Sequence, residues 1–378
     1  MTTSAAPRSK GTGIVYILTN QATGNSVMVF NRDIDGLLTQ KGTFPTGGLG
    51  IGGVTNPLDS LFSQGSLGIS DDRCFLFAVD AGSDELSVLA VDGENLVLTD
   101  RVPSGGTTPV SVTVHKHVVY VLNRGDFNVG DGNITGFTVD SHGKLTPIPD
   151  STQLLVGGPR SLPAQVQFSP DGKQLVVAER TNNLIDVFPV DKYGAAGQLV
   201  KNDSSGPGPF GMTFAGKDLL IVSELSGNTS SYRLDSNGHL SVISGSVSTD
   251  EGGACWVVTN SRTDPGYAYV SNARSGSISG YRIDSAGALS LLTDDGHTAV
   301  LPDSHAAIDS AVSGNEQFLY VVTGGFSENV KNPIISAPMG ISAFQIENDG
   351  NLTPIHGSEE FAPVIEGLAP GTQGIVAT

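Results

Sequence analysis

The sequence predicts an all-β protein, a seven-bladed β-propeller whose ring is closed by the C-terminal strand. A phrase that recurs seven times, 49 glycines among 378 residues and a constant order of strands within each repeat predict this fold. The phrase usually reads as a large apolar residue, any residue, an aliphatic residue and an acid, followed by Gly and Leu. Its acids are 44 to 63 residues apart: Asp33, Asp92, Asp140, Asp191, Asp235, Asp284 and Glu347. A period near 50 is typical of propeller blades, each a four-stranded sheet.

Each repeat begins with a short strand that is expected to line the central channel. These first strands are predicted at 65–69, 109–114, 164–168, 209–214, 254–258 and 306–311. A turn leads to a strongly apolar second strand, predicted at 118–122, 175–178, 219–223, 267–271 and 318–322. The third strand carries the phrase, and the turn after its acid leads to the fourth. The chain itself starts with a second-type strand at 14–18, so residues 373–377 are expected to complete the first blade and close the ring.

The repeat also predicts the domain organisation. Residues 1–13 are polar and small and are expected to be loosely ordered, while residues 14–378 form a single propeller. Two insertions interrupt the rhythm, at 44–64 and at 324–339. Loops of this length in a compact domain are usually functional or mobile. We expect both to overhang the mouth of the channel.

Composition and charge narrow the possible partners. The net charge of −18 provides no basic footprint for nucleic acid and disfavours an anionic membrane surface. No signal peptide and no apolar run long enough to span a membrane is visible, which predicts a cytoplasmic protein. Cys74 and Cys255 fall in different blades, so no disulfide is expected. A small-molecule substrate is the expected partner, and the oligomeric state stays open.

The repeat also indicates which side chains meet at one face of the ring. In propellers, the ends of the second strands and the starts of the first strands reach the same face, and function usually lies there. At the ends of the second strands stand Asn20, Asp80, Asn123, Glu179, Glu224 and Asn272, with Arg124, Arg180 and Arg274 beside them. At or near the starts of the first strands stand Gln165, Trp256, His305 and Gln373.

Three uses of this polar cluster are possible. Arginines suit a bidentate clamp on a carboxylate, and Glu or His can move a proton once its pKa is tuned. Alternatively, a ring of oxygen atoms could hold Ca²⁺, which takes six to eight oxygen ligands. The third use is a buried polar network that only rigidifies the channel.

The residues of the fourth repeat resemble a known family. Residues 168–173 read Phe-Ser-Pro-Asp-Gly-Lys, residues 177–179 read Val-Ala-Glu and residues 185–188 read Ile-Asp-Val-Phe. With the repeated Asp-x-x-Gly-x-Leu turn, these are similar to the lactonase-type seven-bladed propellers, which include bacterial 6-phosphogluconolactonase and fungal 3-carboxymuconate lactonizing enzyme. The resemblance implies opening or closing of a lactone without a metal, by His, Arg and Glu of the channel face. It matches Glu179 to the family's acid, whereas Gln165 stands where the family often has His.

We therefore expect a lactonase- or cycloisomerase-like enzyme that acts on a small, oxygen-rich, anionic substrate. Arg124, Arg180 and Arg274 would orient the substrate carboxylate, and Glu179, Glu224 or His305 would act as general acid or base. No cofactor is expected, with Ca²⁺ in the channel as the alternative. Two other functions stay open: a cyclase for a secondary metabolite, and a non-catalytic propeller that binds a protein or peptide on one face.

Overall fold

Seven four- or five-stranded antiparallel sheets form a ring around a central channel, as the repeat predicts. The computed structural model describes residues 11–52, 59–126, 132–260, 266–301, 305–325, 339–356 and 363–378. The predictions for residues 1–10 and for most of the 324–339 insertion lie outside the described residues. Residue 13, predicted to be loosely ordered, already belongs to the first strand.

The strands of the first four blades follow the predicted order from the channel outwards. Blade 1 contains β31 (Ile375–Ala377), β1 (Gly13–Leu18), β2 (Ser26–Arg32) and β3 (Leu38–Pro45). Blade 2 contains β4 (Leu67–Ile69), β5 (Phe75–Asp80), β6 (Glu85–Asp92) and β7 (Asn95–Pro103). Blade 3 contains β8 (Pro109–His115), β9 (Val118–Asn123), β10 (Asn133–Val139), β11 (Leu145–Pro147) and β12 (Gln153–Leu154). Blade 4 contains β13 (Pro163–Phe168), β14 (Gln174–Glu179), β15 (Leu184–Pro189) and β16 (Val200–Asp203), preceded by a 3₁₀ turn at Gly158–Arg160.

The last three blades repeat the same arrangement. Blade 5 contains β17 (Pro209–Ala215), β18 (Leu219–Glu224), β19 (Asn228–Leu234) and β20 (Leu240–Ser248). Blade 6 contains β21 (Ala254–Asn260), β22 (Gly266–Asn272), β23 (Ser277–Ile283), β24 (Leu289–Leu291) and β25 (Ala299–Val300). Blade 7 contains β26 (His305–Val312), β27 (Phe318–Gly325), β28 (Met339–Ile346), β29 (Leu352–Ile355) and β30 (Ile365–Leu368).

The C-terminal strand closes the ring, as predicted. β31 pairs antiparallel with β1, with Ile17 opposite Ile375 and Val15 opposite Ala377. The innermost strands then pack in an unbroken circle, in which β31 contacts both β4 of blade 2 and β26 of blade 7. Closure leaves no blade with an unpaired inner neighbour, which removes a site for edge-to-edge aggregation.

The recurring acid of the phrase has a structural role in the turn that follows the third strand. In five copies its Oδ1 accepts two backbone N–H groups, those of the second and fourth residues after it. At Asp284, for example, the donors are Ala286 at 2.9 Å and Ala288 at 2.8 Å. These bonds hold the turn to the fourth strand, as Asp side chains commonly do in turns. The phrase therefore marks blade construction and not chemistry.

The apolar cores lie between successive blades. The second strands are almost completely buried, as in β9 and β18, because each is covered by a blade on either side. Among the described residues, no helix is long and apolar enough to cross a membrane.

Candidate active site

Residues 59–64, the end of the first insertion, cross the central channel. The backbone N–H of Gln64 donates to the carbonyl of Ala164 in blade 4 at 3.0 Å, and the Ser63 hydroxyl donates to the carbonyl of Val110 in blade 3 at 2.7 Å. From blade 6, the indole N–H of Trp256 donates to the Ser63 carbonyl at 2.8 Å. This crossing segment is therefore held from several sides of the ring and lies within the channel.

A cavity of about 280 Å³ opens between the crossing segment and blades 4 to 7. We call it the mouth cavity, because the residues that follow the second strands line it, on the face where the sequence places function. Its lining residues are Asp59, Phe62, Arg180, Phe210, Leu225, Gly253, Cys255, Trp256, Ala273, Arg274, Ala306 and Ile308. Most of the wall that the described residues form is apolar, and its ionisable side chains are one carboxylate, two guanidiniums and a thiol.

Asp59 is the carboxylate of the mouth cavity. Its Oδ1 accepts the backbone N–H of Phe62 at 2.6 Å, and the Gln373 side chain also hydrogen-bonds to it. Burial raises the pKa of Asp59 to about 6, although the nearby charges of Arg180 and Arg124 oppose this shift. A carboxylate with such a pKa is mostly ionised at neutral pH and can still accept and release a proton.

Arg180 is held rigidly beside Asp59. Its Nε–H donates to the carbonyl of Leu162 at 2.8 Å, and its guanidinium carbon lies 5.2 Å from the ring centre of Phe62 and 5.4 Å from that of Phe210. Both distances fall within the range of cation–π attraction. Burial lowers the pKa of Arg180, and the charge of Asp59 opposes that shift. No protein acceptor within the described ranges takes up its two terminal amino groups, so they are free to bind an anion.

The other two predicted arginines take different positions. Arg124 is buried against the crossing segment, where its Nη1 donates to the carbonyl of Leu61 at 2.9 Å. Burial and the charge of Arg180 lower the pKa of Arg124 to about 10, and Asp59 opposes this shift. Arg274 is exposed at the rim of the mouth cavity and packs beside Gly252 and Gly253. Arg180 and Arg274 thus line the cavity, while Arg124 adds positive charge behind it.

Trp256 and Cys255 contribute apolar surface. The Trp256 ring meets Phe210 edge-on, with centroids 5.3 Å apart and planes at 73°. Both cysteines of the chain are free, as expected, and Cys255 is buried. Burial raises the pKa of the Cys255 thiol, which keeps it protonated and makes it a poor nucleophile.

The predicted polar residues at the ends of the second strands lie inside the blades and do not line the mouth cavity. Four of them bond to a polar residue of the third strand of their own blade. Asp80 accepts the Ser87 hydroxyl at 2.6 Å, Asn123 donates to Asn133 at 3.0 Å, Glu224 accepts the Ser230 hydroxyl at 2.5 Å and Asn272 donates to Ser279 at 2.8 Å. Their side chains are fully buried. These bonds lie inside single blades, whereas the third use considered above places a polar network in the channel.

Glu179 follows the same pattern with a second carboxyl group as its partner. It accepts the backbone N–H of Gly157 at 2.9 Å, and it lies against Asp186 of the third strand. Burial, followed by contact with Glu179, raises the pKa of Asp186, because two adjacent carboxylates cannot both ionise cheaply. The pair holds the loop at 156–157 over blade 4. Arg180, the next residue, points instead into the mouth cavity.

The remaining predicted residues lie around the channel. Gln165 bonds twice to the backbone of Met212 in blade 5, through Nε2 at 3.0 Å and Oε1 at 2.5 Å, so it joins two inner strands. Gln373 donates to the Ser63 carbonyl at 2.7 Å, and Asn20 fixes the loop residues Ile51 and Gly371.

His305 lies at the start of β26, beside Ala306 of the cavity wall but outside the lining itself. Its side chain is half-buried, and its Nδ1 has no hydrogen-bond partner in the described structure. Burial lowers the pKa of His305, and the charge of Glu366 opposes that shift. A role for His305 as acid or base therefore stays a prediction.

Two acidic groups of the channel were missed by the sequence reasoning. Asp59 lies in the insertion, and its signal is the length of that loop. Asp309 lies at a bulge in β26, where its carboxyl accepts the backbone N–H of Ser310 at 2.9 Å. Burial raises the pKa of Asp309 to about 8, with a smaller contribution from the charge of Asp59. The alternation of a strand gave no signal for Asp309, because the bulge changes which way the residue faces.

The alternative function, a Ca²⁺ ion in the channel, would need several carboxylate or amide oxygen atoms close together. The fold instead places the predicted oxygen ligands in separate blades. Asp80, Glu179 and Glu224 lie in the interiors of blades 2, 4 and 5. Within the ranges that the structure describes, no three His, Cys, Asp or Glu side chains are grouped so that they could hold a metal ion.

Comparisons with known proteins agree with this architecture. Residues 131–259 match the family described as lactonase, 7-bladed beta-propeller. This match confirms the resemblance seen in the sequence. No curated protein sequence matches the chain.

Several solved structures share the fold. A protein of Bacteroides uniformis, provisionally identified as a 6-phosphogluconolactonase, aligns with a TM-score of 0.69 and 17% identity over 97% of this chain and 99% of its own. A protein of Bacteroides fragilis with the same provisional identification aligns with a TM-score of 0.66 and 18% identity over 98% of each chain. The periplasmic gluconolactonase of Pseudomonas aeruginosa aligns with a TM-score of 0.67 and 16% identity over 97% of this chain and 99% of its own. At these identities, the likeness establishes the fold.

Proposed function

We propose that the protein is a lactonase-like hydrolase that opens a small anionic lactone in the mouth cavity. The observation that carries this proposal is the arrangement of one carboxylate, Asp59, beside the guanidinium of Arg180 in a cavity that is otherwise mostly apolar. The family match and the gluconolactonase among the similar structures support the same reaction class.

The proposed reaction uses Asp59 first as a base and then as an acid. Asp59 removes a proton from a water molecule, whose oxygen bonds to the carbonyl carbon of the lactone. Collapse of the tetrahedral intermediate breaks the ring C–O bond, and the ring oxygen takes the proton that Asp59 held. The product is a hydroxy acid, and the Asp59 carboxylate is restored. A pKa near 6 suits both transfers at neutral pH.

The arginines supply the positive charge. Arg180 is fixed by Leu162 and the two phenylalanine rings, so its terminal amino groups are preorganised to stabilise the oxyanion of the intermediate. Arg274, at the rim, would bind the carboxylate of the substrate. Arg124 stabilises the ionised form of Asp59 from behind the cavity. All three predicted arginines thus keep a part in the proposal.

Replacing Asp59 by Asn tests the proposed base. Loss of a general base typically costs 10²- to 10⁴-fold, so we expect kcat for lactone hydrolysis, followed in a pH-stat, to fall by at least about a hundredfold. The matched controls are Glu224→Gln and His305→Gln, which change two of the three groups that the sequence predicts as acid or base and that lie outside the cavity. If Asp59→Asn keeps full activity while His305→Gln loses it, the assignment of the base is wrong.

Replacing Arg274 by Ala tests the rim cation. The side chain is exposed, so the melting temperature should stay within about 2 °C of that of the unchanged protein, while KM for an anionic lactone should rise about tenfold. Arg233→Ala, which removes another partly exposed arginine on blade 5, should leave KM unchanged. An equal rise in KM for both variants would mean that the effect comes from net charge and not from the cavity.

A further inference from the structure

The mouth cavity differs from what a polyhydroxylated sugar requires. Its wall includes Phe62, Phe210, Leu225, Trp256 and Ile308. A sugar lactone carries several hydroxyl groups, and each would lose its hydrogen bonds to water against such a wall. Burying a polar group without a hydrogen-bond partner is unfavourable.

Four polar side chains of the neighbouring channel are already hydrogen-bonded to the protein backbone. The Trp256 indole N–H and the Gln373 amide both donate to the Ser63 carbonyl. Gln64 makes two bonds to the backbone of Val257, at 2.8 and 3.0 Å, and Gln165 makes two to the backbone of Met212. These four groups are thus not free to bind substrate hydroxyls.

The charge of the cavity suits one anionic group. Asp59, Arg180 and Arg274 sum to one positive charge when Asp59 is ionised. A single carboxylate balances the charge of these lining residues, and Arg124 behind the wall leaves the surroundings positive, so the cavity favours an anionic group. The cation nearest to Asp59 is also held between two aromatic rings, so the anionic end of a ligand would lie beside apolar surface.

From these three observations we propose that the substrate is a lactone with an apolar ring and a single carboxylate, and not a sugar lactone or a sugar phosphate. The ring would contact Phe210, Trp256 and Ile308, and the carboxylate would face Arg274. This inference rests on the proposed hydrolase function for its reaction, but the binding preference can be measured without turnover. It departs from the oxygen-rich substrate expected from the sequence, because Phe62, Phe210, Leu225 and Ile308 of the wall are apolar residues that the repeat did not single out as site residues.

Binding can be followed through Trp256, which is the single tryptophan of the chain and lines the cavity. The two probes are 3-phenylpropionate and gluconate, which carry the same charge but differ in apolar surface. We expect 3-phenylpropionate to change the fluorescence with a Kd at least about tenfold below that of gluconate. If gluconate binds equally well or better, the substrate class is overturned.

A pair of variants tests whether the preference for 3-phenylpropionate over gluconate arises in the mouth cavity. Leu225 lines the rim with 38% of its surface exposed, so Leu225→Gln should fold normally. The variant should raise the Kd of 3-phenylpropionate about fivefold and leave the Kd of gluconate unchanged, since it removes apolar contact only. Val242→Gln, on the same blade at 54% exposure and outside the cavity, should change neither Kd. If 3-phenylpropionate binds equally well to both variants, it does not bind in this cavity and the proposal is wrong.

Hydrolysis assays separate this inference from the proposed function. The substrates are phthalide-5-carboxylate, an aromatic lactone with one carboxylate, and glucono-δ-lactone. Hydrolysis of the first in preference to the second supports both proposals. Hydrolysis of glucono-δ-lactone alone supports the hydrolase and overturns the substrate class. Tight binding of 3-phenylpropionate with no hydrolysis of either lactone supports the substrate class and contradicts the hydrolase.

Discussion

The raised pKa of Asp59 comes from its surroundings and not from its residue type. In water an aspartate has a pKa near 4 and is a weak base. Burial beside the crossing segment raises the pKa to about 6, and two arginines keep it from rising further. The balance between burial and positive charge therefore places Asp59 in the range useful for proton transfer at neutral pH.

This balance predicts the pH dependence of the proposed activity. Asp59 accepts a proton from water only when ionised, so kcat/KM should rise with pH and level off above a midpoint near 6. The measurement is kcat/KM between pH 4.5 and 8.5, after subtraction of spontaneous lactone hydrolysis.

Asp59→Asn is the control for that profile, because its residual rate should have no midpoint near 6. A flat profile of the unchanged protein between pH 5 and 7 would show that another group acts as the base. His305 would then be tested next, since it is the nearest histidine in sequence to the cavity wall.

At the scale of the element, the turn after the third strand explains the repeated phrase. The acid recurs because one carboxylate oxygen can hold two backbone N–H groups of a short turn. Blade 2 is an exception: Asp92 and Asn95 form a tighter hairpin, and no hydrogen bond to the Asp92 side chain is found in the described structure.

The difference between these two turns gives a matched test. Asp284→Ala removes the acceptor of two backbone N–H groups, so it should lower the free energy of unfolding by about 1–2 kcal/mol, as measured by urea denaturation. Asp92→Ala removes an exposed acid without these bonds and should change stability by less than about 0.5 kcal/mol. Equal losses for the two variants would show that the turn bonds contribute nothing.

The predictability of each element depended on how regular it is. The inner and second strands could be predicted from the sequence because they recur with the period of the blade, and β31 could be placed because the first repeat lacks its inner strand. The positions of the polar residues that end the second strands could be predicted, but their partners could not. The sequence around Glu224 does not show whether its carboxylate faces a ligand or the Ser230 hydroxyl. Asp59 could not be predicted as a site residue, because it lies in an insertion that follows no repeat.

At the scale of the whole molecule, the buried and exposed acids affect stability in opposite directions. Turn acids such as Asp140 and Asp235 have pKa values lowered by backbone N–H groups. They contribute stability above their unfolded pKa, and this is lost only as the pH falls through the lower folded value. Asp59, Asp186 and Asp309 have raised pKa values, so the folded state holds protons that the unfolded chain releases.

The raised pKa of Asp309 therefore predicts that the protein loses stability towards alkaline pH. Between the unfolded pKa near 4 and the folded pKa of about 8, unfolding releases the proton of Asp309, and the free energy of unfolding falls by about 1.4 kcal/mol per pH unit. Urea denaturation between pH 5 and 8.5 measures this slope. Asp309→Asn cannot ionise, so its slope should be smaller by about that amount, whereas Asp92→Asn should keep the original slope.

The net charge of −18 is a competing cause of the same trend, because self-repulsion among acids also grows with pH. Salt distinguishes the two causes. In 1 M NaCl the screening length is about 3 Å, which suppresses repulsion between exposed charges but hardly reaches a buried carboxyl. The slope attributed to Asp309 should therefore persist in 1 M NaCl, and its disappearance there would assign the trend to surface charge.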